Sequence, residues 1–191
     1  MCAKLLKSNP QNTTKWSGGD TTELFISPQG SSYIKRDFNF RLSTATVEVN
    51  ESVFTPLAGA SRVLMVLEGQ MNLEHKNHHK SQLSKFDIDR FDGGWETASV
   101  GTCIDFNLML RNGCKGDVEG VELKANAVQK YEFDERPALF FYLFEGALTI
   151  GLNAVDYKLN AGDLLYLDES ECFDIQLLAV SDSSLVVVKV I

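Results

Sequence analysis

The hydrophobic pattern of the chain contains one unit that occurs twice. Residues 63–67 are an apolar run, followed by Gly69 and then by alternating apolar and polar residues. The unit returns at residues 139–144, with Gly146 after them. Each copy predicts a buried strand, a turn at the glycine and a half-buried strand. Repetition at this domain-scale spacing indicates two copies of one β module.

A pair of aspartates extends the repeat beyond the strands. Asp87 and Asp92 in the first copy correspond to Asp163 and Asp168 in the second. The two copies differ there by a single inserted residue. The correspondence favours duplication of a whole module over a chance likeness between two strands.

The remaining pattern is also typical of β structure. Residues 38–49, 104–110 and 184–191 alternate or are rich in β-branched residues, and no segment has a sustained helical period with caps. We therefore predict an all-β chain with little helix, folded as two tandem cupin (jelly-roll β-barrel) domains, that is, a bicupin. One larger sandwich is the alternative. The polar, glycine-containing segment after Arg111 predicts domains 1–112 and 113–191, with exchange of strands between the barrels left open.

Composition excludes several classes of partner. The net charge of −8, without a basic cluster, argues against binding to nucleic acid or to an anionic membrane. No apolar run reaches the roughly 20 residues of a membrane span. The four cysteines lack the CxxC spacing of metal or redox motifs, so we expect a cytoplasmic protein with reduced thiols. Cys103 and Cys172 are expected to be small core residues.

The sequence offers little for metal or nucleophilic chemistry. The three histidines, His75, His78 and His79, fall in one polar hairpin, which we expect to be a surface loop. A metal site needs ligands that project from rigid strands. There is no Gly-x-Ser-x-Gly elbow and no phosphate-binding glycine loop. We therefore predict neither a metal nor another cofactor.

Several charged and polar residues occupy alternating positions in the predicted strands of the first copy. Arg62 opens an apolar strand, and Asp105 and Asn107 alternate with apolar neighbours. If this face lines a barrel, Arg62 and Arg41 would be paired by Asp105 or Glu23, because an unpaired buried charge is costly. A guanidinium there would suit a carboxylate ligand. The other interpretation is a solvated strand face with scattered ion pairs.

Four segments in order resemble the HutD/Ves family. They are the stretch from Trp16 to Leu24, Phe40 to Ala45, Phe54 to Gly69, and Asp105 to Met109 with Arg111 after it. They span about residues 15–111, and the second half is similar to the family only in its strand pattern. Ser17, Asp20 and the segment 55–59 depart from the family pattern, so a different ligand is compatible with the resemblance.

The resemblance implies a bicupin without the usual metal ligands that acts as a non-enzymatic regulator of histidine utilisation. It implies a small carboxylate ligand of the N-formylglutamate or urocanate type, held by Arg62. The predicted ligand-binding set is completed by the following residues: Arg41, Glu23, Asp105, Asn107, Lys15, Trp16, Thr21 and Ser43.

Two other functions compete with this prediction. A metal-independent isomerase or lyase would use Glu23 or Asp105 as acid and base, with its pKa raised by burial. A structural module would associate with itself, and a homodimer through the apolar residues 140–142 is a possible form of it. The sequence favours the binding protein over the enzyme and does not determine the ligand.

Overall fold

The computed structural model describes residues 3–132, 137–168 and 174–191. In these ranges the chain forms nineteen strands and one turn of 3-10 helix (Pro10–Asn12), without an α-helix. The strands are β1 (Ala3–Leu6), β2 (Thr13–Trp16), β3 (Gly19–Ser27), β4 (Phe40–Val47), β5 (Glu51–Val53), β6 (Ser61–Gly69), β7 (Met71–His75), β8 (Lys80–Leu83), β9 (Ile88–Asp92), β10 (Thr97–Val100), β11 (Cys103–Leu110), β12 (Gly116–Leu123), β13 (Val128–Tyr131), β14 (Ala138–Glu145), β15 (Ala147–Leu152), β16 (Val155–Asn160), β17 (Leu164–Leu167), β18 (Ile175–Ala179) and β19 (Ser183–Val190).

Residues 9–115 form one compact unit, the N-terminal unit. It contains a six-stranded sheet in the order β2-β3-β4-β11-β6-β9 and a four-stranded sheet in the order β5-β10-β7-β8. Because side chains alternate between the two faces of a strand, Leu64 and Val66 of the first sheet point toward the second sheet. They form one buried cluster with Met71 and Leu73 of the second sheet. Apolar residues on the inner faces of two sheets thus form the core of this unit.

The second compact unit, the C-terminal unit, consists of residues 116–191 together with the segment that precedes residue 9. Its sheets have the orders β1-β17-β14-β19-β12 and β13-β18-β15-β16. The first strand of the chain therefore lies in the second unit, where Ala3 pairs with Leu167. The boundary between the units falls at residues 115 and 116 rather than at residue 112, and residues 3–8 do not belong with the rest of the segment 1–112.

The two units repeat the same strand order. The neighbours β4-β11-β6-β9 correspond to β12-β19-β14-β17. The strands also share an irregularity: Leu67 of β6 has no partner between Asp105 and Ile104 of β11, and Phe144 of β14 is skipped in the same way opposite β19. A bulge of this kind adds one residue to one strand and bends it. Leu67 and Phe144 are equivalent positions of the sequence repeat.

The repeated aspartates have matching local roles. The Asp87 carboxylate accepts a hydrogen bond from the Ser84 amide at 2.9 Å, and the Asp163 carboxylate accepts one from the Asn160 amide at 2.9 Å. Each aspartate lies three residues after its donor and fixes the turn that leads into β9 or β17. The sequence repeat therefore records a repeated turn as well as repeated strands.

The apolar segment 140–142 is buried within the chain. Phe140 and Phe141 are fully buried and Tyr142 is 7% exposed. Our suggestion that this segment contributes to a homodimer is wrong, because its side chains are not available to a second copy. Cys103 is buried, in agreement with the expected core role, whereas Cys172 lies outside the described residues. None of the helical structure in the described ranges is long and apolar enough to cross a membrane.

The equivalent glycines of the repeat tolerate no side chain. Gly69 has φ +82° and Gly146 has φ +92°, in the region that favours glycine. A Cβ at Gly69 would lie 2.5 Å from the Thr102 carbonyl oxygen, and one at Gly146 would lie 2.3 Å from that of Asp182. Close approach of two backbones, in addition to the dihedral angle, therefore requires glycine.

Replacement of either glycine by alanine tests this account. Gly113 is the control, because it has φ +84° but no heavy atom within 4 Å of the position that a Cβ would occupy. We expect Gly113→Ala to lower the free energy of unfolding by about 1 kcal/mol, from the dihedral angle alone. Gly69→Ala and Gly146→Ala should each cost about 2–4 kcal/mol, because overpacking is added. Urea denaturation measures the difference, and equal losses at all three positions would contradict the close-approach explanation.

Candidate functional site

The polar residues of the first copy lie on one face of the six-stranded sheet. Residues that are cross-strand partners share a face, as do alternate residues of one strand. Met109 of β11 pairs with both Arg62 and Arg41, and Asn107 pairs with Ser43. Glu23 in turn pairs with Ser43. The register therefore brings together Arg41, Ser43, Glu23, Asp105, Asn107 and Arg62, as the barrel interpretation of the sequence requires.

These side chains line a cavity of about 560 Å³ in the N-terminal unit. Tyr33 and Phe54, from the segments before β4 and after β5, complete its wall. A cavity of this size with apolar walls and a few polar groups is typical of a site for a small organic molecule. The interpretation as a solvated strand face is wrong, because Arg41, Arg62, Asp105 and Asn107 are each at most 7% exposed.

Arg62 packs against two neighbouring aromatic rings. Its guanidinium carbon lies 4.8 Å from the centre of the Phe54 ring and 5.1 Å from that of Phe91. One terminal nitrogen donates to Asn107 Oδ1 at 2.9 Å, and no group among the described residues accepts from Nε. Burial lowers the pKa of Arg62 to about 10, so the side chain remains charged at neutral pH. Its hydrogen-bond partner is a neutral amide.

Arg41 is arranged differently, because its charge is neutralised within the site. Its Nε donates to Glu23 Oε2 at 2.8 Å, and a terminal nitrogen donates to Ser43 Oγ at 2.9 Å. Its guanidinium carbon lies 4.8 Å from the centre of the Tyr33 ring. The ion pair and the hydroxyl satisfy Arg41 and fix its position in the wall.

Asp105 is a buried carboxyl group in the wall of the cavity. It is 2% exposed and accepts a short hydrogen bond from Asn107 Nδ2. Burial raises its pKa to about 7, against the opposing effect of the Arg62 charge. Asn107 thus connects Arg62 to a carboxyl group that exchanges a proton near neutral pH. The charges of Arg41 and Glu23 cancel each other. When the Asp105 carboxyl is protonated, the charge of Arg62 therefore gives the cavity a net positive charge.

Besides Glu23, three predicted residues come from the first hairpin, which is formed by β2 and β3. Trp16 and Thr21 line the cavity with the other site residues. Lys15 does not, because it pairs with Asp20 on the opposite face of the β2–β3 ribbon and is exposed. Alternation places the residues before and after Lys15 on the cavity side. The prediction that Lys15 belongs to the binding set is therefore wrong, because its side chain lies on the face opposite the cavity.

Among the aromatic residues of the site, Trp16 was predicted from the sequence, whereas Tyr33, Phe54 and Phe91 were not. Tyr33 lies in an irregular segment without periodicity, and Phe91 is separated from Arg62 by 29 positions of sequence but pairs with it between β9 and β6. Only the alternating pattern of residues 88–92 (buried at Asp89 and Phe91) gave a signal that Phe91 faces inward.

The histidine segment also differs from expectation. His75 is 2% exposed at the end of β7, and its ring hydrogen-bonds Thr97 Oγ1 at 2.8 Å and Asp89 Oδ2 at 2.9 Å. The expected surface loop is wrong for this histidine. The polar residues next to His75 in the sequence gave no sign that it is buried. Its partner Asp89 comes from the other sheet of the N-terminal unit, and the sequence does not show which strands meet.

Comparisons with solved structures find the same fold over nearly the whole chain. A conserved protein of unknown function from Pseudomonas aeruginosa PAO1 is 20% identical with a TM-score of 0.81, and 98% of each chain is covered. HutD from Pseudomonas fluorescens SBW25, described in a formate condition, is 18% identical with a TM-score of 0.74, covering 98% of this chain and 97% of that one. YhhW from Escherichia coli is 14% identical with a TM-score of 0.75 and the same coverage. These similarities show a β-rich, cupin-like fold.

Sequence comparison adds the family. No curated protein sequence matches the chain. The family model described as HutD, however, matches residues 8–186, which include the cavity and most of both units. The chain belongs to the HutD family.

Proposed function

We propose that this HutD-family protein is a cytoplasmic bicupin whose N-terminal barrel binds a small carboxylate metabolite at Arg62. In this proposal the protein is a regulator of histidine utilisation without catalytic activity, and its ligand is of the N-formylglutamate or urocanate type. One observation carries the proposal: a buried, charged guanidinium faces the cavity with a neutral amide as its partner and with Nε free of any acceptor among the described residues.

A carboxylate fits this position for electrostatic and geometric reasons. A buried charge is unfavourable without compensation, and an anion in the cavity would supply it. The planar guanidinium presents parallel N–H groups that suit the two oxygens of a carboxylate. Phe54 and Phe91 pack against Arg62 and limit its contact with water, which strengthens the attraction. Arg41 forms part of the cavity wall rather than a ligand-binding group, because its guanidinium is already paired with Glu23.

The tandem-barrel architecture is part of the proposal. The two compact units, their matching strand orders and their equivalent bulges support descent from one duplicated cupin module. A homodimer is compatible with it, but would use surfaces other than the buried segment 140–142.

A metal-independent enzyme is the second candidate, favoured by the raised pKa of Asp105. A carboxyl group with a pKa of about 7 can donate or accept a proton at neutral pH, as an isomerase or lyase would require. Glu23 is less suited to the role, because its carboxylate is engaged in an ion pair with Arg41 at 2.8 Å. If the protein is an enzyme, the wild type should convert a substrate and Asp105→Asn should abolish the conversion. If it is a binding protein, neither the wild type nor the variant should convert the ligand.

Ligand binding should depend on Arg62. Bound ligand stabilises the folded protein, so N-formylglutamate, urocanate or glutamate at millimolar concentration should raise the melting temperature if it is accepted. In Arg62→Gln the affinity should fall by about 30-fold or more, since a charge-assisted contact is removed from a buried site. Isothermal titration calorimetry gives the dissociation constants, and thermal shift selects the ligand.

Arg111→Gln is the matched control. Arg111 also has an Nε without an acceptor among the described residues, and its guanidinium carbon lies 5.7 Å from the centre of the Phe38 ring, but it does not line the cavity. Its replacement should leave the affinity unchanged. Equal losses in the two variants, or no stabilisation by any small carboxylate, would refute a receptor centred on Arg62.

Binding should weaken as the pH rises through about 7. Ionised Asp105 would place a negative charge near the bound anion, so the protonated form favours the ligand. We expect the dissociation constant for N-formylglutamate to increase by up to about tenfold per pH unit above 7, because one proton is coupled to binding. Asp105→Asn should show tight binding with little pH dependence. A wild-type profile as flat as that of Asp105→Asn would contradict the role of Asp105.

The same group predicts a pH-dependent stability. The folded-state pKa of about 7 lies above the ordinary value of 3.8, so the contribution of Asp105 is complete below pH 3.8 and is lost as the pH rises through 7. Relative to Asp105→Asn, the free energy of unfolding of the wild type should fall by on the order of 4 kcal/mol over this range. Denaturation at about pH 4, 6 and 8 measures it, and a constant difference would be inconsistent with a protonated buried carboxyl.

A further inference from the structure

A second cluster of chemically active side chains lies in the N-terminal unit, apart from the cavity. His75 and His79 come from the β7–β8 hairpin of the four-stranded sheet, and Asp89 comes from β9 at the edge of the six-stranded sheet. None of the three lines the cavity. The alternation of β7 and β9 turns His75 and Asp89 inward, where both are nearly buried.

The hairpin turn fixes the two histidines beside each other. The His75 amide donates to the His79 carbonyl at 2.9 Å, which makes the two residues cross-strand neighbours. The Nε2 atoms lie 2.9 Å (His75) and 2.8 Å (His79) from the two oxygens of Asp89. One ligand atom from each residue falls within 4.8 Å of the others.

We propose that His75, His79 and Asp89 bind one divalent transition-metal ion of the zinc type.

The donor set and its support match such an ion. Two imidazole nitrogens and one carboxylate oxygen are ligands that zinc, cobalt and nickel accept, and three protein ligands leave a fourth position for water. Ligand atoms around a tetrahedral ion are separated by roughly 3.3 Å. The three ligand atoms lie within 4.8 Å of one another, so the longest of these separations needs to close by at most about 1.5 Å. The metal would replace the proton shared in each His–Asp contact.

The surroundings meet the further requirements of a metal site. The other ring nitrogen of His75 is bonded to Thr97 Oγ1, the kind of outer contact that fixes the tautomer and orientation of a metal-bound histidine. The His79 side chain is 41% exposed, which provides a path for the ion and for exchange of water. Two inward, strand-borne ligands and one accessible ligand therefore converge from two sheets.

His78 provides a matched control within the same hairpin. Its ring stacks on that of Trp95 with centroids 3.6 Å apart, and it is not part of the three-ligand cluster. Substitution of His78 removes an imidazole from the hairpin while leaving the proposed ligands in place. The comparison of His79→Asn with His78→Asn separates a specific site from general attraction of metal to a histidine-rich loop.

The experiment uses the full chain after removal of metal with a chelator. Titration with Co²⁺ should give visible absorption bands of a low-coordinate nitrogen and oxygen site, with one equivalent bound and displaced by Zn²⁺. His79→Asn and Asp89→Asn should weaken Zn²⁺ binding at least tenfold, and His78→Asn should bind like the wild type. Because His79 is partly exposed, its variant should fold, and circular dichroism checks that it does.

Three outcomes would overturn the proposal. They are the absence of binding by the wild type at millimolar Zn²⁺, equal weakening in His78→Asn and His79→Asn, and retention of full affinity in a folded His79→Asn protein. Any of them would identify the cluster as a hydrogen-bond network that joins the two sheets. The carboxylate affinity of the cavity is measured separately through Arg62, so its failure and that of the metal site are distinguishable.

Discussion

A positive charge buried on a sheet face is the constraint around which the N-terminal unit is arranged. Arg62 is 7% exposed, and its lowered pKa expresses the desolvation of the charged form. The groups around Arg62 are two aromatic rings, the neutral amide of Asn107 and the carboxyl of Asp105, whose own pKa is also raised by burial. None of these groups neutralises the guanidinium through a direct ionic hydrogen bond. An entering anion therefore gains more at Arg62 than it would at a solvated arginine.

Strand register converts this constraint into geometry. A slip of β11 by one residue against β6 would turn Asp105 and Asn107 to the other face of the sheet. The bulge at Leu67 lies next to this pairing and absorbs the extra residue of β6 before the strand reaches its turn at Gly69. From Arg62 to Val66, side chains of β6 therefore alternate regularly between the cavity face and the opposite face of the sheet. The site depends on backbone pairing as directly as it depends on the charged side chains.

The sequence contained the parts of this arrangement that follow from alternation. Period-two spacing and the repeated apolar unit were sufficient to predict an all-β chain and to place Arg62, Asp105 and Asn107 at alternating strand positions, but not to decide whether these residues face a barrel interior or solvent. Adjacent residues of a strand face opposite sides of the sheet, so Lys15 and Trp16, which were both in the predicted binding set, could not both line the cavity. Sequence patterns also carry no information on which distant strands meet, so the contact of His75 with Asp89 was invisible, and a polar segment was interpreted as a loop.

The C-terminal unit has apolar residues at the positions that correspond to this site. Through the matched pairings, Leu139 is the counterpart of Arg62, while Leu185 and Val187 are the counterparts of Asp105 and Asn107. All three belong to the buried apolar cluster of the C-terminal unit. The position that opens into a charged cavity in one copy is thus filled by aliphatic side chains in the other. Burial of such side chains contributes roughly 1.5–3 kcal/mol each, whereas buried polar groups contribute less or oppose folding. The C-terminal unit therefore holds the more stabilising side chains at these positions, whereas the N-terminal unit places charged and polar groups there.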